Sequence, residues 1–97
     1  MAKSIIQSDK THCFICGMNS ALEPLDEHHV FGGLANRKLS EKYGLKIYIH
    51  HWKCHLHGVH KNGELDRAVK RTVQQRAMQH YGWTVEKFIQ IFGQNYL

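Results

Sequence analysis

All of the cysteines and nearly all of the histidines in this chain fall between residues 12 and 60, and that crowding constrains the fold more than any other feature. Cys13-Phe14-Ile15-Cys16 opens the cluster and Glu27-His28-His29 follows. His50-His51-Trp52-Lys53-Cys54-His55, then His57 and His60, complete it. Three cysteines and eight of nine histidines lie in this stretch. Side chains of this kind gather where a metal organises the chain. Thiolates favour a closed tetrahedral zinc, whereas grouped imidazoles suit a site with positions left open. A chain of 97 residues has room for one core, and with 42% apolar residues that core is small, so a structural metal would add to what burial alone supplies.

An odd number of cysteines cannot form a complete disulfide framework. No apolar run approaches the roughly 20 residues that cross a bilayer, and Met1 to Ser8 lacks the apolar core of a secretion leader. The expectation is a cytoplasmic protein with no membrane partner. In that reducing compartment a Cys-x2-Cys pair is a metal ligand or a redox pair rather than a disulfide. A thioredoxin-like redox pair needs a βαβ context, which the chain lacks. Lys and Arg outnumber Asp and Glu by 13 to 8, a net charge of +5 that favours a polyanionic partner.

One α+β domain spans residues 1 to 97. Residues 1 to 11 are polar enough to fray, residues 13 to 62 form the metal-binding core, and residues 63 to 97 are helical. Gly17 supplies the turn after the second cysteine. Leu25 to Phe31 reads as a strand ended by Gly32-Gly33, and Asn36 to Tyr43 as a short helix stopped by Gly44. Leu45 to Ile49 is the second strand, followed by a loop opened at Gly58. Asn62 is placed to cap a helix whose apolar stripe is Leu65, Val69, Val73, Ala77 and Tyr81. Gly82 ends it. Thr84 caps the last helix, with Val85, Phe88, Ile89 and Phe92 as its buried face.

Cys13 and Cys16 have the spacing of a zinc knuckle, and His51-x2-Cys54 repeats it. Together they predict a structural Zn²⁺, with His50 as the competing ligand. Trp52 is expected to cover the knuckle as part of the core.

The segment Glu27-His28-His29-Val30-Phe31-Gly32-Gly33, set between the halves of a zinc site, resembles the HNH endonucleases, also called ββα-metal or His-Me finger nucleases. His28-His29, His51-x2-Cys54-His55 and His60 carry the likeness across roughly residues 13 to 62. Ser40-Glu41-Lys42-Tyr43-Gly44-Leu45 and the tail Phe92-Gly93-Gln94-Asn95-Tyr96-Leu97 resemble small phage and prophage members. The resemblance implies a zinc-stabilised hairpin-plus-helix core with C-terminal helices, and a nuclease that leaves 5′-phosphate ends. It implies His29 as general base, with His28, His55 and His60 holding a catalytic divalent metal (Mg²⁺, Mn²⁺, Ni²⁺ or Zn²⁺). His57 is the alternative to His55, since it sits three residues from His60. Tyr43 to Tyr48, where the family's central asparagine normally lies, contains none; Asn36 comes earlier and Asn62 later.

Imidazole suits the base because its ordinary pKa, about 6.5, lies near working pH. Neighbours in a strand point to opposite faces, so His28 and His29 serve one site only where the strand ends or twists, as Gly32-Gly33 allows. His55 and His60 lie about 140° apart on an ideal α-helix, which opposes their pairing there, but Gly58 points to a loop before the helix. Arg37 and Lys38 are placed to neutralise phosphates, and Lys53, Lys61, Arg67, Lys70 and Arg71 add positive charge. No base-reading helix is evident, so DNA is expected to be held through its backbone with little sequence preference. A monomer with one site nicks one strand; double-strand cleavage needs a homodimer or a phage protein partner. The competing reading is a catalytically inactive, zinc-stabilised DNA-binding or adaptor module of a phage.

Overall fold

In the computed structural model, which describes residues 3–21 and 23–97, strands β1 (Leu25–His29) and β2 (Lys46–His50) pair antiparallel. Leu25 faces His50 and His29 faces Lys46. Facing residues of such a pair project to the same side. Asp26 and His28 therefore share a face with Ile49 and Ile47, while Leu25, Glu27 and His29 share the other with His50, Tyr48 and Lys46. This division positions everything that follows.

β2 is buried along its whole length, because the N-terminal segment covers its outer edge. The Ile5 N–H donates to the Gly44 carbonyl (2.9 Å), the Tyr48 N–H to Gln7 Oε1 (2.8 Å), and the Phe14 N–H to the Tyr48 carbonyl (2.8 Å). An edge that would otherwise offer unpaired backbone groups is thereby closed. Ile6 lies in the core. The polar character of residues 1 to 11 suggests fraying, yet Ser4 to Gln7 are tied to this strand; Met1 and Ala2 lie outside the described residues.

Helix α1 (Leu34–Tyr43) occupies the connection between the strands and stops at Gly44. Gly44 has φ of +71°, and a Cβ there would run into the Lys3 carbonyl, so glycine is required on both counts. β1 ends two residues earlier than the apolar run suggests. Phe31 leaves the ladder because the buried Ser40 hydroxyl takes over its backbone, accepting from its N–H (3.2 Å) and donating to its carbonyl (3.0 Å). Its ring then lies among Phe92, Tyr96 and Phe88, with centroids 4.8, 5.2 and 5.3 Å away.

After β2 the chain forms a π-helical segment, His51–Val59, rather than the expected loop. Helix α2 (Gly63–Tyr81) follows, with Asn62 Oδ1 accepting from the Glu64 and Leu65 N–H groups. Val69, Val73 and Ala77 of its predicted stripe are buried, while Tyr81 is 38% exposed. In helix α3 (Val85–Phe92) Phe88 and Phe92 are buried as expected. Ile89 is 39% exposed, contrary to the expected face, and Ile91 packs against the core instead. Among the described residues no helix is long and apolar enough to cross a membrane.

Candidate metal centres

Among the described residues four clusters of ligand-type side chains form, and two of them, built around His50 and His28, lie on opposite faces of the hairpin. The first brings Cys13, Cys16, His50 and Cys54 together, with one candidate ligand atom from each all within 4.8 Å of one another. His50 Nδ1 is 3.3 Å from Cys16 Sγ and 3.9 Å from Cys54 Sγ. Zn–S and Zn–N bonds of about 2.3 and 2.0 Å place sulfur and nitrogen about 3.5 Å apart across a tetrahedron, between these two values. His50 Nε2–H donates to the Asn19 carbonyl at 2.9 Å, which leaves the Nδ1 lone pair facing the sulfurs. Four such donors can hold a zinc ion.

The thiols themselves favour a cation. Burial opposes ionisation of Cys13, but backbone hydrogen bonds, led by that of Cys16, bring it down to about 7. Burial, then the neighbouring Cys13 and Cys16 thiols, push Cys54 up to about 12. The thiolates cannot all form at neutral pH unless positive charge is supplied, and a divalent ion supplies it.

The fourth ligand position corrects the expectation of His51. β2 ends at His50, which meets the cysteines, while His51 opens the π-helical segment and turns to Asp26. His51 Nδ1 instead donates to Asp26 Oδ2 at 2.6 Å. Trp52 is also misplaced by the sequence: it is 55% exposed and stands between the His51 ring (4.7 Å) and the His57 ring (6.3 Å), not over the knuckle.

The second group is His28, His55 and His60. Ring centroids lie 5.0 Å apart for His28–His55, 5.8 Å for His28–His60 and 4.6 Å for His55–His60. The π-helical segment explains how His55 and His60 meet. Its i→i+5 pattern, in which the His60 N–H donates to the His55 carbonyl at 3.1 Å, brings residues five apart to nearly one side. Their Nε2 atoms are 2.9 Å apart, close to the roughly 3 to 3.4 Å expected for two imidazole nitrogens on one ion. His57 is exposed beside Trp52 and takes no part.

His28 Nε2 is buried and has no hydrogen-bond partner among the described residues. Leaving such an atom unsatisfied costs about 1–3 kcal/mol, and an ion between the three rings would satisfy it. Burial, then the charge of His55 and of His60, push His28 down to about 4. The ring is neutral at physiological pH, the form that ligates. The all-imidazole set fits Zn²⁺, Ni²⁺ or Mn²⁺ better than Mg²⁺.

A cleft of about 320 Å³ opens beside this group, lined by Glu27, His28, His29, Gly32, Gly33, Arg37, His55 and His60. β1 stays regular through His29, so His28 and His29 do project to opposite faces; both reach the cleft because it lies at the strand's end. His29 Nε2 is 3.4 Å from Glu41 Oε1 and 3.9 Å from Glu27 Oε1. Both carboxylates also pair with the buried Lys46 ammonium, at 2.8 and 3.5 Å respectively. The hydrogen bond from Lys46 leads the interactions that hold Glu41 below the usual carboxylate range, against its partial burial. Arg37 lines the cleft from the first turn of α1; Lys38 is exposed and does not. Sequence reasoning missed Asp26, Glu41 and Lys46. Asp26 alone had a local signal, its two-residue spacing from His28 on one strand face.

Comparison with protein-family models, curated proteins and solved structures finds no match for this chain.

Proposed function

We propose that the chain is a metal-dependent endonuclease of the HNH type that hydrolyses DNA phosphodiester bonds, nicking one strand per event with little sequence preference. The observation that carries this reading is the buried, unpartnered His28 Nε2, set beside His55 and His60 at the edge of a cleft that His29 and Arg37 also line. His28, His55 and His60 would hold the working divalent ion, and Cys13, Cys16, His50 and Cys54 a structural zinc. When bound, the working ion supplies charge stabilisation for the phosphoryl group and the departing 3′ oxygen.

The chain's own residues supply the rest. His29 takes the proton of the attacking water. Its Nε2 faces Glu41, so Nδ1 is the nitrogen left for that task. The Glu41–Lys46 pair fixes the ring, in place of the asparagine missing from residues 43 to 48. Arg37 neutralises a phosphate next to the cut, and the net charge of +5 draws the polyanion in.

A supercoiled-plasmid assay tests the proposal. Nicking is expected with Mn²⁺, Ni²⁺ or Zn²⁺, to be abolished by chelation, and to disappear in His29→Ala while both metal centres stay filled. Salt-sensitive DNA binding without nicking under any metal would instead identify a zinc-stabilised DNA-binding or adaptor module. Nicking by His29→Ala at the wild-type rate would remove His29 from the mechanism.

A further inference from the structure

We infer that Asp26, clamped by His51, is a positioning residue for the imidazole centre: it fixes the tautomer of His55 and so sets how tightly the three histidines hold a divalent ion. The inference rests on the ion-holding role proposed for His28, His55 and His60, not on nuclease activity.

Asp26 lies two residues before His28 on the same face of β1. Its Oδ2 accepts from His55 Nδ1–H at 2.8 Å and from His51 Nδ1–H at 2.6 Å. The two nitrogens of His55 are thereby divided. Nδ1 carries the proton and Nε2 presents its lone pair to the centre, where His60 Nε2 stands 2.9 Å away. In a histidine the hydrogen bond made by one ring nitrogen decides which nitrogen can ligate, and a carboxylate acceptor also makes the ring a stronger donor. His51 precedes His55 by four residues in the π-helical segment. Because it holds the same oxygen, the carboxylate cannot swing toward solvent without losing both bonds.

Asp26, His51 and His55 are also close enough together to hold an ion of their own. The inferred tautomer competes with that, because an Nδ1 that donates its proton to the carboxylate has no lone pair to offer an ion there.

The test uses the full chain with zinc in the cysteine centre. Ni²⁺ is titrated by calorimetry into wild type, Asp26→Asn and His51→Gln. Long-range ¹H–¹⁵N spectra of the Ni²⁺-free wild type and of Asp26→Leu report the histidine tautomers. Asp26→Asn is expected to weaken Ni²⁺ binding by about 10- to 100-fold and His51→Gln by less, with the zinc content of all three unchanged. In wild type His55 should be protonated on Nδ1, and in Asp26→Leu the proton should shift to Nε2. Equal Ni²⁺ affinity in wild type and Asp26→Asn would overturn the inference, as would an unchanged tautomer in Asp26→Leu or a third bound ion. Failure of the wild type itself to take up Ni²⁺ would instead overturn the role proposed for the three histidines.

Discussion

Acidification from pH 7 to pH 5 should weaken this protein through His28. In the unfolded chain its imidazole titrates near 6.5; in the folded protein burial and the neighbouring histidines hold it at about 4. Its contribution to stability is therefore complete above the unfolded value and is lost as the pH falls from about 6.5 to about 4, because the unfolded chain binds a proton that the native state refuses. The gap is worth roughly 3 kcal/mol in full, and about 2 kcal/mol between pH 7 and pH 5. Urea denaturation at pH 7, 6 and 5, on protein carrying only its zinc, measures this in wild type and in His28→Gln. The wild type should lose about 2 kcal/mol more than the variant over that range. Parallel pH profiles would mean that burial and the neighbouring histidines do not hold His28 neutral, and would refute this reasoning.

Exchange of His50 for Ala should release zinc and unfold the domain, since binding and folding are linked in small sites, whereas His51→Ala should retain its zinc; metal analysis after gel filtration distinguishes them. Replacing Phe31 by Ala removes the ring that Phe88, Phe92 and Tyr96 pack around. The loss should be about 3–5 kcal/mol, read from the shift in the urea midpoint.

Much of the architecture was legible because short-range chemistry decides it. Gly44 and Gly82 each take a left-handed backbone at a helix end, and Asn62 and Thr84 each cap the helix that follows. The knuckle cysteines declare themselves through local spacing. The errors came where neighbours distant in sequence decide. Whether residue 50 or 51 turns toward the cysteines depends on how far β2 runs, and its last residue is fixed by pairing with Leu25. The His55–His60 pair looks incompatible on an α-helix and becomes natural on a π-helix, a geometry for which residues 51 to 59 carry no evident signal. Glu41 and Lys46 reach His29 only because α1 folds back beside the hairpin. Ile89 misled because a stripe counted from Val85 includes it, while the observed packing selects Phe88, Ile91 and Phe92.

Zinc-edge X-ray absorption, recorded after one and then two equivalents of zinc, examines both centres in the intact chain. The first equivalent should give a shell of three sulfurs and one nitrogen, from Cys13, Cys16, Cys54 and His50. The second should add only nitrogen and oxygen scatterers, with the outer-shell pattern of imidazole. A first ion surrounded mainly by nitrogen, or a second showing no imidazole around it, would contradict the division of labour between cysteine and histidine proposed for this protein.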